Sequence, residues 1–167
     1  MNFLHVKDEL FTPSQCKKLI NKFKPKTKKN YYKPGDYFFY DFDFKIIEKE
    51  VSTLLQEYRQ LYPAIDLTSE RWRFTHARFK YFPPGHFFAP WHVEHGIEFP
   101  FRVAGILIYL STHKTGTEFF TGKEHIISQA GRAIMCPTAF THAHRGHPCP
   151  EKKDRYILTT YADFCRE

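Results

Sequence analysis

The sequence Tyr-Phe-Pro-Pro-Gly-His-Phe-Phe-Ala-Pro-Trp-His-Val-Glu occupies positions 81–94 and ends on a histidine and a carboxylate, His92 and Glu94. The aromatic residues before them favour an extended chain. Because residues i and i+2 of a strand point to the same face, both side chains can bind the same ion. The segment therefore predicts two ligands of one metal ion.

A third ligand is needed to hold a divalent metal on one face of an octahedron. Residues 140–148 read Phe-Thr-His-Ala-His-Arg-Gly-His-Pro and offer His142, His144 and His147. Alternation along a strand puts His142 and His144 on the same face, so spacing does not separate them. Two histidines and one carboxylate with open coordination positions form the facial triad that binds non-haem Fe(II).

The length and composition of the chain favour one β-rich domain. Its 167 residues suffice for one sizeable core, and its 18 Phe and 10 Tyr suit strands better than a helical bundle. We expect a single domain over 1–167, with a helical support region over 1–70 and the core over 71–167.

The net charge of +7 is concentrated near the N-terminus, which favours a solvated surface over a nucleic-acid interface, although nucleic acid stays an open alternative. The contributing lysines are Lys17, Lys18, Lys22, Lys24, Lys26, Lys28 and Lys29.

The four cysteines, Cys16, Cys136, Cys149 and Cys165, form no Cys-x-x-Cys pair. This spacing argues against a zinc ribbon or a disulfide framework and favours reduced thiols. No apolar run is long enough for a signal peptide or a membrane span. A soluble, cytoplasmic protein without membrane contact is expected.

The first part of the chain predicts two helices. One begins with Thr12 as its cap and Pro13 as its first residue and ends before Pro25, and a loop follows over 24–30. A strand is expected over 37–40. The second helix is expected over 44–62, where apolar residues recur at helical spacing and Pro63 ends it.

From Trp72 onward, short β-favouring runs alternate with Pro, Gly and polar clusters. Eight strands after two helices predict a mainly β fold, a jelly roll with helical support. The predicted strands are 74–81, 87–92, 102–111, 117–120, 125–128, 132–136, 141–144 and 155–161.

Two of these strands carry polar groups that need partners. The apolar strand 103–110 contains Tyr109, whose hydroxyl needs a hydrogen bond when buried. The strand 155–161 places Arg155 and Thr159 on one face by alternation. A buried guanidinium is costly without a counter-charge, so an anionic partner such as a carboxylate is expected there.

Residues 78–164 resemble the Fe(II)- and 2-oxoglutarate-dependent oxygenases of the prolyl 4-hydroxylase type. Any one of the shared motifs is weak, but six of them occur in the family's order. They are Tyr81-x-x-x-Gly85, His92-x-Glu94, Arg102 with Tyr109-Leu110-Ser111, Gly116-Thr117-Glu118-Phe119, His144-x-Gly146-x-Pro148, and Arg155-Tyr156 with Thr159.

The resemblance implies a double-stranded β-helix and a dioxygenase that hydroxylates an unactivated C–H bond. The substrate would be a peptidyl proline or another amino-acid-type molecule, with Fe(II), 2-oxoglutarate, O2 and possible use of ascorbate. His92, Glu94 and His144 would bind the iron, and Arg155 would pair with the distal carboxylate of 2-oxoglutarate. Tyr109 and Thr159 would hydrogen-bond that carboxylate, and Tyr81 would lie near the cosubstrate.

The chain departs from the family at Glu94, where Asp is usual, so the ligand oxygen moves by one methylene. The paired glycines of the family are also reduced to Thr115-Gly116-Thr117. Three other interpretations compete at single residues: His142 as the third ligand, a structural ion pair of Arg155 with Asp154 or Glu151, and Trp91 as a core residue.

Other classes of function remain. The same ligands suit a cupin-like zinc or manganese module without redox chemistry. A silent jelly-roll interaction domain needs no metal. An oxygenase of this type could also act on a small metabolite or on nucleic acid.

Overall fold

A computed structural model describes residues 3–30, 37–68, 71–148 and 152–165, and within them the chain forms two antiparallel sheets and two α-helices. The helices are α1 (Pro13–Phe23) and α2 (Glu48–Leu61). The strands are β1 (His5–Lys7), β2 (Lys28–Lys29), β3 (Phe38–Phe42), β4 (Trp72–Phe82), β5 (Arg102–Tyr109), β6 (Gly116–Phe119), β7 (His125–Ile127), β8 (Ala133–Pro137), β9 (His144–Gly146) and β10 (Arg155–Phe164).

The larger sheet has the strand order β1-β8-β5-β10-β4-β3-β2, and the smaller has the order β7-β6-β9. Strand β10 is central in the larger sheet, between β4 and β5, and nine of its ten residues are buried. Strands β1, β2 and β3 come from the first 70 residues, so that part of the chain adds strands as well as helices to the sheet.

Helix α1 begins and ends as the sequence predicts. The Thr12 hydroxyl accepts a hydrogen bond from the Gln15 N–H (3.2 Å), and the Gln15 side chain accepts one from the Thr12 N–H (2.8 Å). This reciprocal pair satisfies donors that the first turn leaves free. Pro13 occupies the first helical position, and the helix ends two residues before Pro25.

Helix α2 begins later than predicted, at Glu48. Residues Phe44–Ile46 form a 3-10 turn instead, because the Asp43 carboxylate accepts a hydrogen bond from the Lys45 N–H (3.0 Å) and caps that turn. The helix then buries Val51, Leu54, Leu55 and Tyr58.

The two faces of the larger sheet have different neighbours. One buried cluster joins both helices to the sheet through Phe23, Leu54 and Leu158. A second cluster, which includes Phe119 and Ile157, lies between the two sheets. Adjacent residues of β10 thus face opposite sides, as alternation requires.

Three further predicted elements differ in the structure. Residues 87–92 form no strand, because the aromatic run that suggested one contains Pro90, which cannot donate to a ladder. The predicted loop over 24–30 contains a 3-10 turn (Lys24–Lys26) and β2. The predicted strand 141–144 is a 3-10 turn (Phe140–His142) followed by β9, and β1 was not predicted.

The described cysteines Cys16, Cys136 and Cys165 are free thiols, and Cys149 lies outside the described residues. Neither helix of the described chain has the length and apolar character that crossing a membrane requires.

Two glycines allow a test of this packing. A Cβ on Gly116 would overlap the carbonyl oxygen of Ile126 on the neighbouring strand, whereas a Cβ on Gly105 would make ordinary contacts of 3.7 Å with Thr138 and 4.0 Å with Tyr161. We expect Gly116→Ala to lower the free energy of unfolding in urea by about 1 to 3 kcal/mol. Gly105→Ala is the matched control and should cost less than about 0.5 kcal/mol. Equal stabilities of the two variants would contradict this packing.

Candidate metal centre

A cavity lies between the two sheets, and the segment that leads to His92 and Glu94 closes one side of it. The larger sheet lines it with Lys80, Phe82, Leu107, Tyr109, Arg155, Ile157 and Thr159. The smaller sheet and the closing segment line it with Gly116, Thr117, His144, Gly146, Phe87, Phe88, His92 and Glu94.

Three side chains in this cavity converge as metal ligands would. The ligand atoms of His92, Glu94 and His144 all lie within 4.8 Å of one another, and His92 Nε2 is 3.6 Å from Glu94 Oε1. No other such group of three occurs in the part of the chain that the structure describes. The sequence left the choice between His142 and His144 open, and the structure brings His144 to the cluster.

Backbone contacts orient both imidazole rings. His92 Nδ1 lies 3.1 Å from the Pro90 carbonyl oxygen, and His144 Nδ1 lies 3.0 Å from that of His142. A carbonyl oxygen only accepts, so each Nδ1 carries a proton, and Nε2 is the atom of each ring that remains available to a metal. Metal-binding histidines are held in this way.

The charge states of the cluster also suit a cation. Burial alone would raise the pKa of Glu94, but the His92 ring and the Lys80 ammonium outweigh burial and lower this pKa to about 2. Burial and the neighbouring His92 lower the pKa of His144 to about 4. At neutral pH the cluster therefore offers an anionic carboxylate and a neutral imidazole, the forms that bind metals.

Arg102 holds the second oxygen of Glu94. Its guanidinium lies between the rings of Phe99 (3.5 Å) and Tyr161 (3.7 Å), with Nη1 3.4 Å from Glu94 Oε2. The side chain is only 7% exposed. Glu94 Oε1 is left facing His92, so the contact with Arg102 fixes the direction of the carboxylate.

Other residues that the sequence singled out have different surroundings. His142 is buried in the 3-10 turn, with its Nδ1 2.9 Å from the Thr141 hydroxyl. Trp91 was expected in the core, which is wrong: the side chain is 37% exposed and meets the edge of Phe120 (5.1 Å). The Arg145 guanidinium covers the Trp91 ring at 4.4 Å, so these residues form a rim beside the candidate ligands.

Arg155 and Thr159 end in the same cavity. Arg155 donates from Nη1 to the His147 carbonyl and from Nη2 to the Thr115 hydroxyl, both at 2.7 Å. Its Nε and the Thr159 hydroxyl are buried without a hydrogen-bond partner among the described residues. The Tyr109 hydroxyl donates to Thr117 Oγ1 (2.7 Å). The cavity thus holds donors that a polar ligand can satisfy.

The alternative ion pair of Arg155 with Asp154 is not observed. Asp154 instead accepts hydrogen bonds from the Lys24 ammonium (2.8 Å) and the Tyr156 hydroxyl (2.7 Å). Glu151, the other candidate, lies outside the described residues.

The expectation for Tyr81 needs correction. Tyr81 does not line the cavity, because its ring stacks on Tyr156 (5.3 Å) and its hydroxyl donates to Asp154 (3.2 Å) on the other face of β4. Its neighbours Lys80 and Phe82 line the cavity instead. Alternation predicts that these two share a face, but the sequence alone does not say which face is the inner one.

Comparisons with known proteins give the fold. No protein-family model matches the sequence, and no curated protein matches it. A viral collagen prolyl hydroxylase from Paramecium Bursaria Chlorella virus-1, solved with 2-oxoglutarate, superposes with a TM-score of 0.78 at 16% identity, over 98% of this chain and 97% of that one. The chain has the fold of a prolyl hydroxylase.

Two further prolyl hydroxylases support this assignment. The Pseudomonas putida prolyl-4-hydroxylase has a TM-score of 0.74 at 12% identity, over 98% of this chain and 94% of that one. The Trichoplax adhaerens prolyl hydroxylase, solved with a peptide of the hypoxia inducible factor, has a TM-score of 0.75 at 11% identity, over 98% and 84%. The resemblance to prolyl hydroxylases in the sequence motifs is therefore confirmed in the fold.

Replacement of each histidine candidate tests the ligand set. His144→Ala should weaken Mn(II) binding by more than about 100-fold in isothermal titration calorimetry, because losing a ligand costs more than losing its hydrogen-bonded partner. His142→Ala should bind Mn(II) within about 3-fold of wild type, since its ring lies outside the cluster and its carbonyl is retained. The reverse order would make His142 the ligand.

Arg102 offers a second test of the same centre. Arg102→Gln should weaken Mn(II) binding by roughly 10- to 100-fold, because Glu94 then loses the group that directs it. Arg73→Gln, an exposed residue near the start of β4, is the matched control and should have no effect. Unchanged affinity in Arg102→Gln would show that Glu94 needs no such support.

Proposed function

We propose that this chain is a single-domain Fe(II)- and 2-oxoglutarate-dependent hydroxylase with a double-stranded β-helix, or jelly-roll, core. One observation carries the proposal: two histidines and one carboxylate converge in the cavity that also contains the buried, partly unsatisfied Arg155. A metal site alone would not need that arginine.

His92, Glu94 and His144 would hold the metal. Two imidazoles and one carboxylate that leave positions open suit Fe(II). When bound, the iron together with 2-oxoglutarate and O2 supplies the oxidising power that replaces an unactivated C–H bond with C–OH. The protein itself contributes orientation, charge and exclusion of water.

Arg155 and Thr159 would bind the distal carboxylate of 2-oxoglutarate. Within the described cavity lining, Arg155 Nε and Thr159 Oγ1 are buried without a hydrogen-bond partner, and both can donate to a carboxylate. Tyr109 would join them by turning its hydroxyl from Thr117 to the ligand. The three side chains come from adjacent strands, because β10 pairs with β5.

Aromatic side chains would keep this reaction site dry. Phe82, Phe87 and Phe88 line the cavity, and the Phe88 ring packs on His92 at 4.3 Å. A dry site strengthens the charge interactions that hold the cosubstrate.

A peptidyl proline is the first choice of substrate. The Trichoplax adhaerens neighbour was solved with a peptide fragment, and here Trp91 and Phe120 form an exposed aromatic rim beside the ligands. Aromatic surfaces of this kind bind extended, proline-containing chains. A free amino acid or small metabolite is the second choice of substrate, because it could bind in the cavity without contacting the aromatic rim.

A two-step experiment tests the proposal. Addition of Fe(II) and 2-oxoglutarate without oxygen should give a visible charge-transfer band, and admission of O2 with ascorbate should then give succinate. A cupin-like zinc or manganese module would bind metal but show neither signal. Mass spectrometry for the gain of one oxygen would then identify the substrate.

His92→Ala should abolish both the charge-transfer band and succinate formation, because two remaining ligands hold the metal poorly. His5→Ala is the control: His5 lies outside the cavity, 3.4 Å from Glu57, and its loss should leave both signals unchanged. Normal succinate formation by His92→Ala would refute the assignment.

A further inference from the structure

Strand β4 brings a lysine into the cavity that the sequence motifs do not assign. Lys80 lines the cavity together with the three ligand residues and Arg155. Its ammonium lies over aromatic rings, 5.5 Å from the centroid of Tyr37 and 5.9 Å from that of Phe88. The position is costly for a cation, and burial lowers the pKa of Lys80.

Lys80 has no carboxylate of its own. Within the described residues no carboxylate oxygen forms an ion pair with its ammonium, and Glu94 is the only carboxylate of the described cavity lining. Glu94, however, is already held by Arg102 at 3.4 Å and faces His92 at 3.6 Å. The single negative charge of Glu94 is therefore already engaged by Arg102 and the histidine cluster, and it does not neutralise Lys80.

The lining of the cavity carries more basic than acidic side chains. Lys80 and Arg155 are cations when protonated, and the only carboxylate among the described lining residues is Glu94. A divalent metal would add to the positive excess. Buried cations without counter-charges are unstable, so a ligand with two carboxylates would neutralise what the protein leaves unpaired.

The spacing of the two cations suits a short dicarboxylate. In the β4–β10 ladder Lys80 pairs with Ile157 and Phe82 pairs with Arg155, so the two cations are one strand and two residues apart. Sheet geometry puts their Cα atoms about 8 Å apart on the same face. Lys80 lies on the side of the metal cluster, because its ammonium is 5.9 Å from the Phe88 ring, which packs on His92 at 4.3 Å. Arg155 is held instead by the His147 carbonyl and the Thr115 hydroxyl.

We propose that Lys80 binds the carboxylate of 2-oxoglutarate that lies beside the metal, while Arg155 binds the distal one. The inference rests on the proposed function and adds to it a second anchoring residue.

Binding measurements on the Mn(II)-loaded protein test the inference without turnover. The ligands are 2-oxoglutarate and 2-oxopentanoate, which keeps the carboxylate beside the keto group and lacks the distal one. Lys80→Met should weaken binding of both by roughly 10- to 100-fold, the effect of a lost charge-assisted hydrogen bond. Arg155→Met should weaken only 2-oxoglutarate. Lys80→Arg should recover part of the affinity for both.

Lys17→Met, on the exposed face of α1, is the matched control and should bind both ligands as wild type does. Lys80→Met should lower neither the thermal midpoint of the ligand-free protein nor its Mn(II) affinity, because it removes an unpaired buried cation. A loss of either would reveal a structural role for Lys80. Unchanged binding of 2-oxoglutarate by Lys80→Met overturns the inference. A rise in the KM of a substrate alone would not support it. Failure of the wild-type Mn(II) protein to bind 2-oxoglutarate would instead refute the proposed function.

Discussion

One reciprocal pair of backbone hydrogen bonds sets the geometry of the whole site. The His92 N–H donates to the His144 carbonyl, and the His144 N–H donates to the His92 carbonyl, both at 3.0 Å. This isolated bridge joins the irregular segment after β4 to β9 of the smaller sheet. Because both histidines lie in the bridge itself, the separation of their rings is fixed by main-chain bonding and not by side-chain contacts alone.

Gly146 is the second requirement of that junction. Its N–H donates to the Phe88 carbonyl at 2.8 Å, and a Cβ at this position would approach the Phe88 backbone to 3.1 Å. The segment that carries His92 and Glu94 therefore lies directly on the strand that carries His144. The glycine of the motif His144-x-Gly146 is therefore favoured sterically, because a side chain there would press on the Phe88 backbone.

Much of the site could be predicted from the sequence, because its signals are local. The i, i+2 spacing of His92 and Glu94 needs only an extended chain. Which face of β4 points into the cavity could not be predicted, because both faces carry aromatic residues: Phe79 and Tyr81 on one face and Phe82 on the other. The inner face is set by the pairing of β4 with β10. The choice between His142 and His144 as the third candidate ligand likewise could not be made from alternation. Residues Phe140–His142 form a 3-10 turn, so His142 is not part of the strand that contains His144.

The exposed indole of Trp91 gives this protein a built-in optical probe. The chain has two tryptophans, and the other, Trp72, begins β4 far along the strand from the cavity. A paramagnetic ion held by His92 would lie within quenching range of the adjacent indole. With Trp72 replaced by phenylalanine, the remaining emission would follow occupancy of the centre in real time, with no label attached to the chain.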